Sequence, residues 1–452
     1  MPDAYALRVY DETGNCGGGK GQVSEVHALS HVDQGLSFDV TDSLITIIEC
    51  VRTGAAVTRP EIGRAALLGR SIVTQRVEDA MALGLLEDAE LGESTGGRAP
   101  RNLRFKREQG TFLVAVFGAK VVGLAIADLG GAVLVEHHMP WDIAVGPVPT
   151  LTMVKVRLGE LAAQINAAPA WGVIVGVPGP VEFASGKPIA PPIMPGWDDF
   201  DIKAVLEPHF SAPCYVDNDV NLMALGEARI LSGAAPLPAA LDMLFIKVGS
   251  GIGAGILSAG RVHRGANGAA GDIGHTSIGL ESNVVCRCGQ VGCLEAVSGG
   301  WAMVRDGEVA ANEGRSPYLA DLLKANGQLQ PVDIAHGALA GDPWCVEAIV
   351  RSAQNVANTL ALLVSFYNPH LIVVGGSIAE TGDLFLASLR QTVYRRSLPL
   401  ATRDLRILAA TPERDEGVLG ALELGMSETF SRPAMQRWLH LGSPRLTAAT
   451  AG

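Results

Sequence analysis

No uninterrupted apolar stretch in this 452-residue sequence approaches the ~18–20 residues that a membrane span requires. The opening residues, MPDAYALRVYDETGNCGGGKG, have neither the basic start nor the apolar run of a signal peptide. The expectation is a soluble, cytoplasmic protein with no membrane partner. Aromatic residues are scarce, at 5% of the chain, whereas glycine occurs 54 times, a balance that suits an α/β protein built on glycine turns. Cysteine is sparse too. Seven is an odd number, and three of the seven fall within eight residues, which argues against a secreted disulfide framework and for a metal site. Cys16, Cys50, Cys214 and Cys345 are scattered and read as buried or idle thiols.

Positive charge is also in deficit. Lys and Arg total 35 against 47 Asp and Glu, a formal charge of −12, which by itself argues against nucleic acid. The distribution argues the other way. Between Arg52 and Arg107 ten basic residues face seven acidic ones, so the remainder of the chain carries about −15. A mildly basic segment on an acidic body is what a small DNA-reading module attached to a larger domain would give. The length allows about two to four domains.

Residues 1–37 are polar and Gly-rich without sustained periodicity and read as a flexible tail. From 38 to 110 the pattern is that of a winged helix-turn-helix. TDSLITIIECVRTG places Leu44, Ile47, Ile48 and Val51 on one helical face. A short helix over 60–66, a turn at LLGR and a second helix over 71–83 follow. Val73, Val77 and Met81 would face its core, leaving Ser71, Thr74, Gln75 and Glu78 outward. Arg70, Ser71, Thr74 and Gln75 would meet base edges or phosphates in a major groove. GLLEDAELGESTGGRAPRNLRF then reads as strand, glycine-rich turn and returning strand, a wing whose Arg98 and Arg101 would reach phosphate or a minor groove.

From Thr111 the texture changes to strands and glycine turns. FLVAVFGAKVVGLAIAD begins one strand–turn–strand unit, and MLFIKVGSGIGAGILSAGRV begins another about 130 residues later. The repetition suggests a duplicated architecture with a cleft between lobes. GDPWCVEAIVRSAQNVANTLALLVSFYNP is a long helix with Asp342 as N-cap and Pro343 at its first position. The expected body spans 111–430, and 431–452 reads as a loosely ordered tail.

GHTSIGLESNVVCRCGQVGCLEAVSGG holds His275, Cys286, Cys288 and Cys293, one imidazole and three thiolates in the pattern of a closed tetrahedral zinc site. Gly289 and Gly292 let the loop turn back. With no ligand position left open, Zn²⁺ would be structural; chance proximity of free thiols is the alternative.

This motif, G-H followed by C-x-C-G-x-x-G-C-x-E, resembles the signature of the ROK family of repressors, open reading frames and kinases. VDNDVNLMALGE and GSGIGAGILSAGRVHRGANGAAGDIGH are similar to two further blocks of that family. The resemblance spans about 111–425, and the winged segment before it is similar to the module that family repressors carry and family kinases lack. It implies the two-lobed α/β fold shared with actin and hexokinase. It also implies roles by position. Asp219 matches the base that deprotonates the sugar hydroxyl in family kinases, Asn218 and Glu295 match sugar ligands, and His275 matches a residue that serves both zinc and sugar. Gly179 falls where backbone approaches the sugar. For Asn218 and Asp219, which precede a helix, capping is the rival role.

Two departures stand out. Asp272 occupies a position that is Glu in family kinases, one methylene longer. Where those kinases read D-I-G-G-T, with Asp serving magnesium and Thr the phosphates, this chain reads Val116, Phe117, Gly118, Ala119 and Lys120. Phosphoryl transfer depends on metal neutralisation of developing charge, so the nucleotide half of the site is expected to be dismantled while the sugar half survives. The expectation is a repressor and not an enzyme. A homodimer or homotetramer would read a double-stranded operator and respond to a sugar or sugar phosphate. A sugar kinase with a regulatory N-terminal module is the alternative.

Overall fold

Leu44, Ile47, Ile48 and Val51 form the buried stripe of helix α1 (Val40–Arg52). The computed structural model describes residues 39–91, 101–233, 237–238, 240–279, 283–379, 382–411 and 415–441. The expected tail at 1–37 lies outside the described residues. Helix α2 (Arg59–Ala65) starts at a capping box, in which Thr58 N donates to Glu61 Oε2 at 3.0 Å and Glu61 N to Thr58 Oγ1 at 3.4 Å. After a turn with Leu67 in the left-handed region, α3 (Arg70–Ala82) buries Val73, Val77 and Ala80. Met81, expected on that stripe, is only half-buried. Eight residues on from Val73 a helix has rotated about 80° off the stripe, whereas seven bring it back to within about 20°, so Ala80 takes the place. Strands β1 (Leu86–Leu91) and β2 (Arg101–Phe105) close the segment as an antiparallel hairpin. Its tip, with Arg98, lies outside the described residues.

The body contains the same sheet twice. In the first lobe β3 (Thr111–Phe117), β4 (Val121–Asp128) and β5 (Val133–Pro140) form a meander. Helix α4 (Pro147–Gln164) leads to β6 (Ala170–Val177), and a two-residue ribbon, β7 (Val181–Glu182) and β8 (Lys187–Pro188), precedes α5 (Ile202–Phe210) and β9 (Cys214–Asn218). The five strands lie in the order β5-β4-β3-β6-β9, with β3, β6 and β9 parallel. Helix α6 (Asp219–Ser232) crosses to the second lobe, where β10 (Met243–Val248), β11 (Ile252–Ser258) and β12 (Arg261–Val262) repeat the meander. Helices α7 (Leu294–Ser298), α8 (Gly300–Asn312), α9 (Pro317–Asn326), α10 (Pro331–Leu339) and α11 (Pro343–Tyr367) follow. Asp342 Oδ1 caps α11 through Cys345 N at 3.0 Å, as expected. Next come β13 (Leu371–Gly375), α12 (Asp383–Arg396), α13 (Pro399–Thr402) and β14 (Arg406–Ala409), giving the order β12-β11-β10-β13-β14. The order and sense match strand for strand, which accounts for the repetition in the sequence.

Each sheet has an outer and an inner face. Leu113, Ala115 and Phe117 pack outward with the apolar residues of α4 and α5, and Leu244, Ile246 and Val248 pack outward with those of α8, α10, α11 and α12. The alternating inner residues, Phe112 and Val114 of β3 and Met243 and Phe245 of β10, share one core with α6 and α14 (Glu416–Thr429). These two helices meet backbone to backbone. A methyl on Gly226 would lie 1.7 Å from Glu416 O, and one on Gly420 would lie 1.7 Å from Leu222 O.

That inner core does not end at the body. It runs through Phe105, Phe112, Trp171, Phe430, Met435 and Trp438 into the buried residues of α1 and α3. Trp438 belongs to α15 (Arg432–Leu441), a helix lying in a segment expected to be a loose tail. The expectation fails for these residues because their order is tertiary. Trp438 is 2% exposed and meets Trp171 edge-on at 4.9 Å, and Arg432 reaches Asp42 of α1 at 2.8 Å. Residues 442–452 lie outside the described residues. Trp438→Ala, which empties this junction, is expected to cost about 3–5 kcal/mol, read as a lower midpoint in urea denaturation. A loss well under 1 kcal/mol would show that α15 is not part of the core.

Candidate functional site

The two lobes enclose a cavity of about 360 Å³, enough for a monosaccharide, lined by Gly179, Asn218, Asp219, Asp272, His275 and Glu295 among others. Every sugar-facing residue expected from the sequence therefore reaches one space. They arrive from separate elements. Asn218 ends β9, Asp219 opens α6, Asp272 precedes and His275 ends a single helical turn against β11, and Glu295 lies in the first turn of α7.

Several of them are already hydrogen-bonded within the protein. Asn218 is the N-cap of α6, its Oδ1 accepting from Val220 N at 2.9 Å and Asn221 N at 3.3 Å, while its Nδ2 donates to Gly179 O at 3.0 Å. The rival capping role is thus filled, and Asn218 fixes the Gly179 backbone at the cavity wall. Glu295 is 8% exposed; its Oε2 accepts from Ile252 N at 3.0 Å and its Oε1 from Trp301 Nε1 at 3.3 Å. Burial pushes the Asp272 carboxyl above the usual carboxylate range, an effect that His275 opposes and Glu295 reinforces.

Asp219 is buried and paired. Lys247 Nζ of β10 lies 2.5 Å from its Oδ2. The signal for Lys247 was in the sequence, a lone lysine in the apolar run MLFIKV just before GSG, and it went unread. Asp217 is tied by Arg264 at 2.6 Å, and the Arg264 guanidinium sits over Phe183 at 3.7 Å. That pair braces the strand below the cavity.

The β3–β4 turn shows the other side of the cleft. Gly118, Ala119 and Lys120 line the cavity, but Lys120 is exposed and held by Asp142 at 2.5 Å, which keeps that carboxyl below its usual range. Val116 packs inward. A methyl on Gly176 or Gly417 would stand 3.1 Å from its Cγ1.

His275, Cys286, Cys288 and Cys293 form a cluster whose ligand atoms all lie within 4.8 Å of one another. Cys286 Sγ is 3.6 Å from His275 Nδ1, and Cys288 Sγ is 3.7 Å from Cys293 Sγ, spacings that suit a tetrahedral ion with ~2.0–2.3 Å bonds. Gly289 and Gly292, with φ of 88° and 75°, supply the left-handed turns that bring the last thiol round. These four residues could hold a divalent metal, and the donor set is the one zinc prefers.

The expected DNA-facing residues lie on a different surface. Arg70, Ser71 and Gln75 of α3 are exposed; Thr74 is half-buried and its hydroxyl donates to Arg70 O at 2.9 Å. Arg101 on β2 is exposed and reaches Asp88 at 3.2 Å. A surface pair of this kind contributes little and can give way to a phosphate.

The chain resembles several known proteins. A model described as the ROK family matches residues 116–428. The xylose repressor of Caldicellulosiruptor bescii is 25% identical over 391 residues, covering 86% of this chain and 96% of the repressor. The glucokinase of Halalkalibacterium halodurans is 34% identical over 305 residues, covering 67% of this chain and 91% of the kinase. Among solved structures, a ROK family transcriptional regulator described as a homologue of the E. coli MLC protein aligns with a TM-score of 0.72 at 21% identity, over 88% of this chain and 98% of that one.

Protein purified without chelators is expected to carry about one zinc ion per chain by elemental analysis. Cys293→Ser is expected to lose the ion and to melt earlier; full metal content in that variant would reject the four-residue site.

Proposed function

Because the chain belongs to the ROK family, we propose that it is a sugar-responsive, DNA-binding regulator of transcription, a repressor of carbohydrate genes with a structural Zn²⁺. The observation that carries this reading is the asymmetry of the cleft. Carboxylates and an imidazole line the cleft, while β3, which leads to the Gly118–Lys120 turn, carries the apolar Val116 where family kinases place a metal-holding acid. A nucleotide's phosphates need that metal for transfer; a sugar needs only hydrogen-bonding groups.

The three helices and hairpin before the body support a winged helix-turn-helix assignment over 38–110, followed by a sugar-binding body from 111. The match to the xylose repressor extends over more of the chain than the family model does, in keeping with that assignment. In a homodimer or homotetramer, two α3 helices would enter successive major grooves of a two-fold-related operator. Arg70, Ser71, Thr74 and Gln75 would meet bases and phosphates, and Arg98 and Arg101 the backbone. Sugar would bind through Gly179, Asn218, Asp219, Asp272, His275 and Glu295. It changes DNA affinity to the extent that it prefers one arrangement of the lobes.

The kinase reading rests on Asp219, which stands where a base would act, and on the likeness to the glucokinase. Coupled ADP release separates the two. No turnover is expected with hexoses or amino sugars; turnover abolished by Asp219→Ala would establish a kinase instead. For the regulator, DNA from upstream of its own gene is expected to shift in gels, and a sugar from a broad panel to alter the shift. Gln75→Ala is expected to weaken binding by about 1–3 kcal/mol at matched salt, with fold and zinc content unchanged. Absence of any shift would sink the DNA half of the proposal.

A further inference from the structure

Lys247 is an unusual residue in its strand. The other five residues of β10 are buried, and the alternation that sends Met243 and Phe245 inward to α6 sends Lys247 inward as well, at the cleft end. There it meets the first residue of α6, Asp219, at 2.5 Å. Resting on the reading of the cleft as a sugar site, we propose that Lys247 makes it a receptor for phosphorylated sugars, the ammonium bridging Asp219 and a phosphate monoester on the sugar.

Three observations support the assignment. First, charge. A bare Asp219 would repel a phosphate placed beside it; paired with Lys247 its charge is offset, and the ammonium presents a positive charge to an anion that comes within hydrogen-bond reach. Second, donor number. An ammonium has three N–H donors, and Asp219 takes one. The side chain keeps a quarter of its surface accessible, against 5% for Asp219, and both residues line the cavity.

Third, the space beside Lys247 is shaped by groups suited to a tetrahedral oxyanion. The Gly249–Ser250–Gly251 turn and Ser377 line the same cavity. A methyl placed on Gly249 would stand 3.7 Å from Ser377 Oγ, 3.9 Å from Lys247 Cε and 4.0 Å from Ser377 N, so a small volume is ringed by a hydroxyl, a backbone amide and an ammonium stem. Backbone turns of this kind are common anion cradles. A planar carboxylate, as in a uronic acid, would engage fewer of these donors than a phosphate.

The test is calorimetric titration of the full-length, zinc-loaded protein. The probes are glucose, N-acetylglucosamine, their 6-phosphates, xylose, xylose 5-phosphate and glucuronate. At least one phosphorylated sugar is expected to bind about tenfold or more tightly than its parent, with a preference that shrinks as salt rises. In Lys247→Met the ratio between the two forms is expected to fall to one or below, because phosphate then faces the Asp219 carboxylate with no cation between them. Lys247→Arg, which keeps the charge, is expected to retain part of the preference and decides the matter if the Met variant does not fold. Parent sugars binding as tightly as their phosphates, glucuronate binding more tightly, or a preference that survives Lys247→Met would each overturn the proposal while leaving the sugar site standing. No heat with any member of the panel would reject the sugar site itself, and the proposal with it.

Discussion

The contact on which the rest of the molecule depends is the one between α6 and α14. Their backbones meet at Gly226 and Gly420, where even a methyl group would collide with a carbonyl oxygen. Helices that close cannot slide independently without opening a void in the shared core. One of them begins at Asp219 in the cleft, and the other ends beside Phe430, which stacks edge-on with Phe105 of the hairpin at 6.0 Å. A ligand that moves the start of α6 therefore acts on a rigid pair whose far end is buried in the same core as α1 and α3. That is a physical route by which cleft and N-terminal module can share two arrangements, with α15 as the strut that closes the junction.

The duplicated sheets make the cleft's asymmetry legible. Val116 is the cleft-end inner residue of β3 and lies against Gly417 at the start of α14; Lys247 is the cleft-end inner residue of β10 and lies against Asp219 at the start of α6. Equivalent positions in the two lobes thus carry an apolar group and a cation. Neither can hold magnesium, and a cation there repels it. Besides Asp219, the acids that line the cleft are Asp272 and Glu295, near an imidazole whose Nδ1 faces the thiols. The His–Cys cluster and this wall of the cleft are consequently one unit: the loop that an ion would hold carries His275 directly and sets the start of α7, where Glu295 sits.

Much of this could be read from local pattern. Periodicity located α1, α2 and α3 to within a residue or so, because a helix must repeat its apolar stripe every 3.6 residues. The cap of α11 and the duplicated meander were visible for the same kind of reason. The misses share a cause as well. Met81 was misplaced by stepping four residues at a time, an error of rotation. Helix α15 was missed because its order comes from Trp171, Phe430 and Asp42, residues far away in the chain. Asn218 was legible both as a pocket residue and as a cap of α6, but its bond to Gly179 O depends on how β9 meets the neighbouring loop.

Residue identities alone establish which chemical groups the protein owns, and their pattern the succession of its elements: three thiols and an imidazole at metal spacing, a carboxylate opening a helix, a valine where family kinases have an acid. Identity and spacing within about twenty residues suffice for the first two statements, and the resemblance to the family supplies the third. Tertiary structure alone decided which charges meet. Lys247 and Asp219 are 28 residues apart, and Trp171 and Trp438 are 267 apart; each pair exists only because the sheets and helices are stacked as they are. Electrostatic and packing energies depend on distance in space, which the order of residues does not contain.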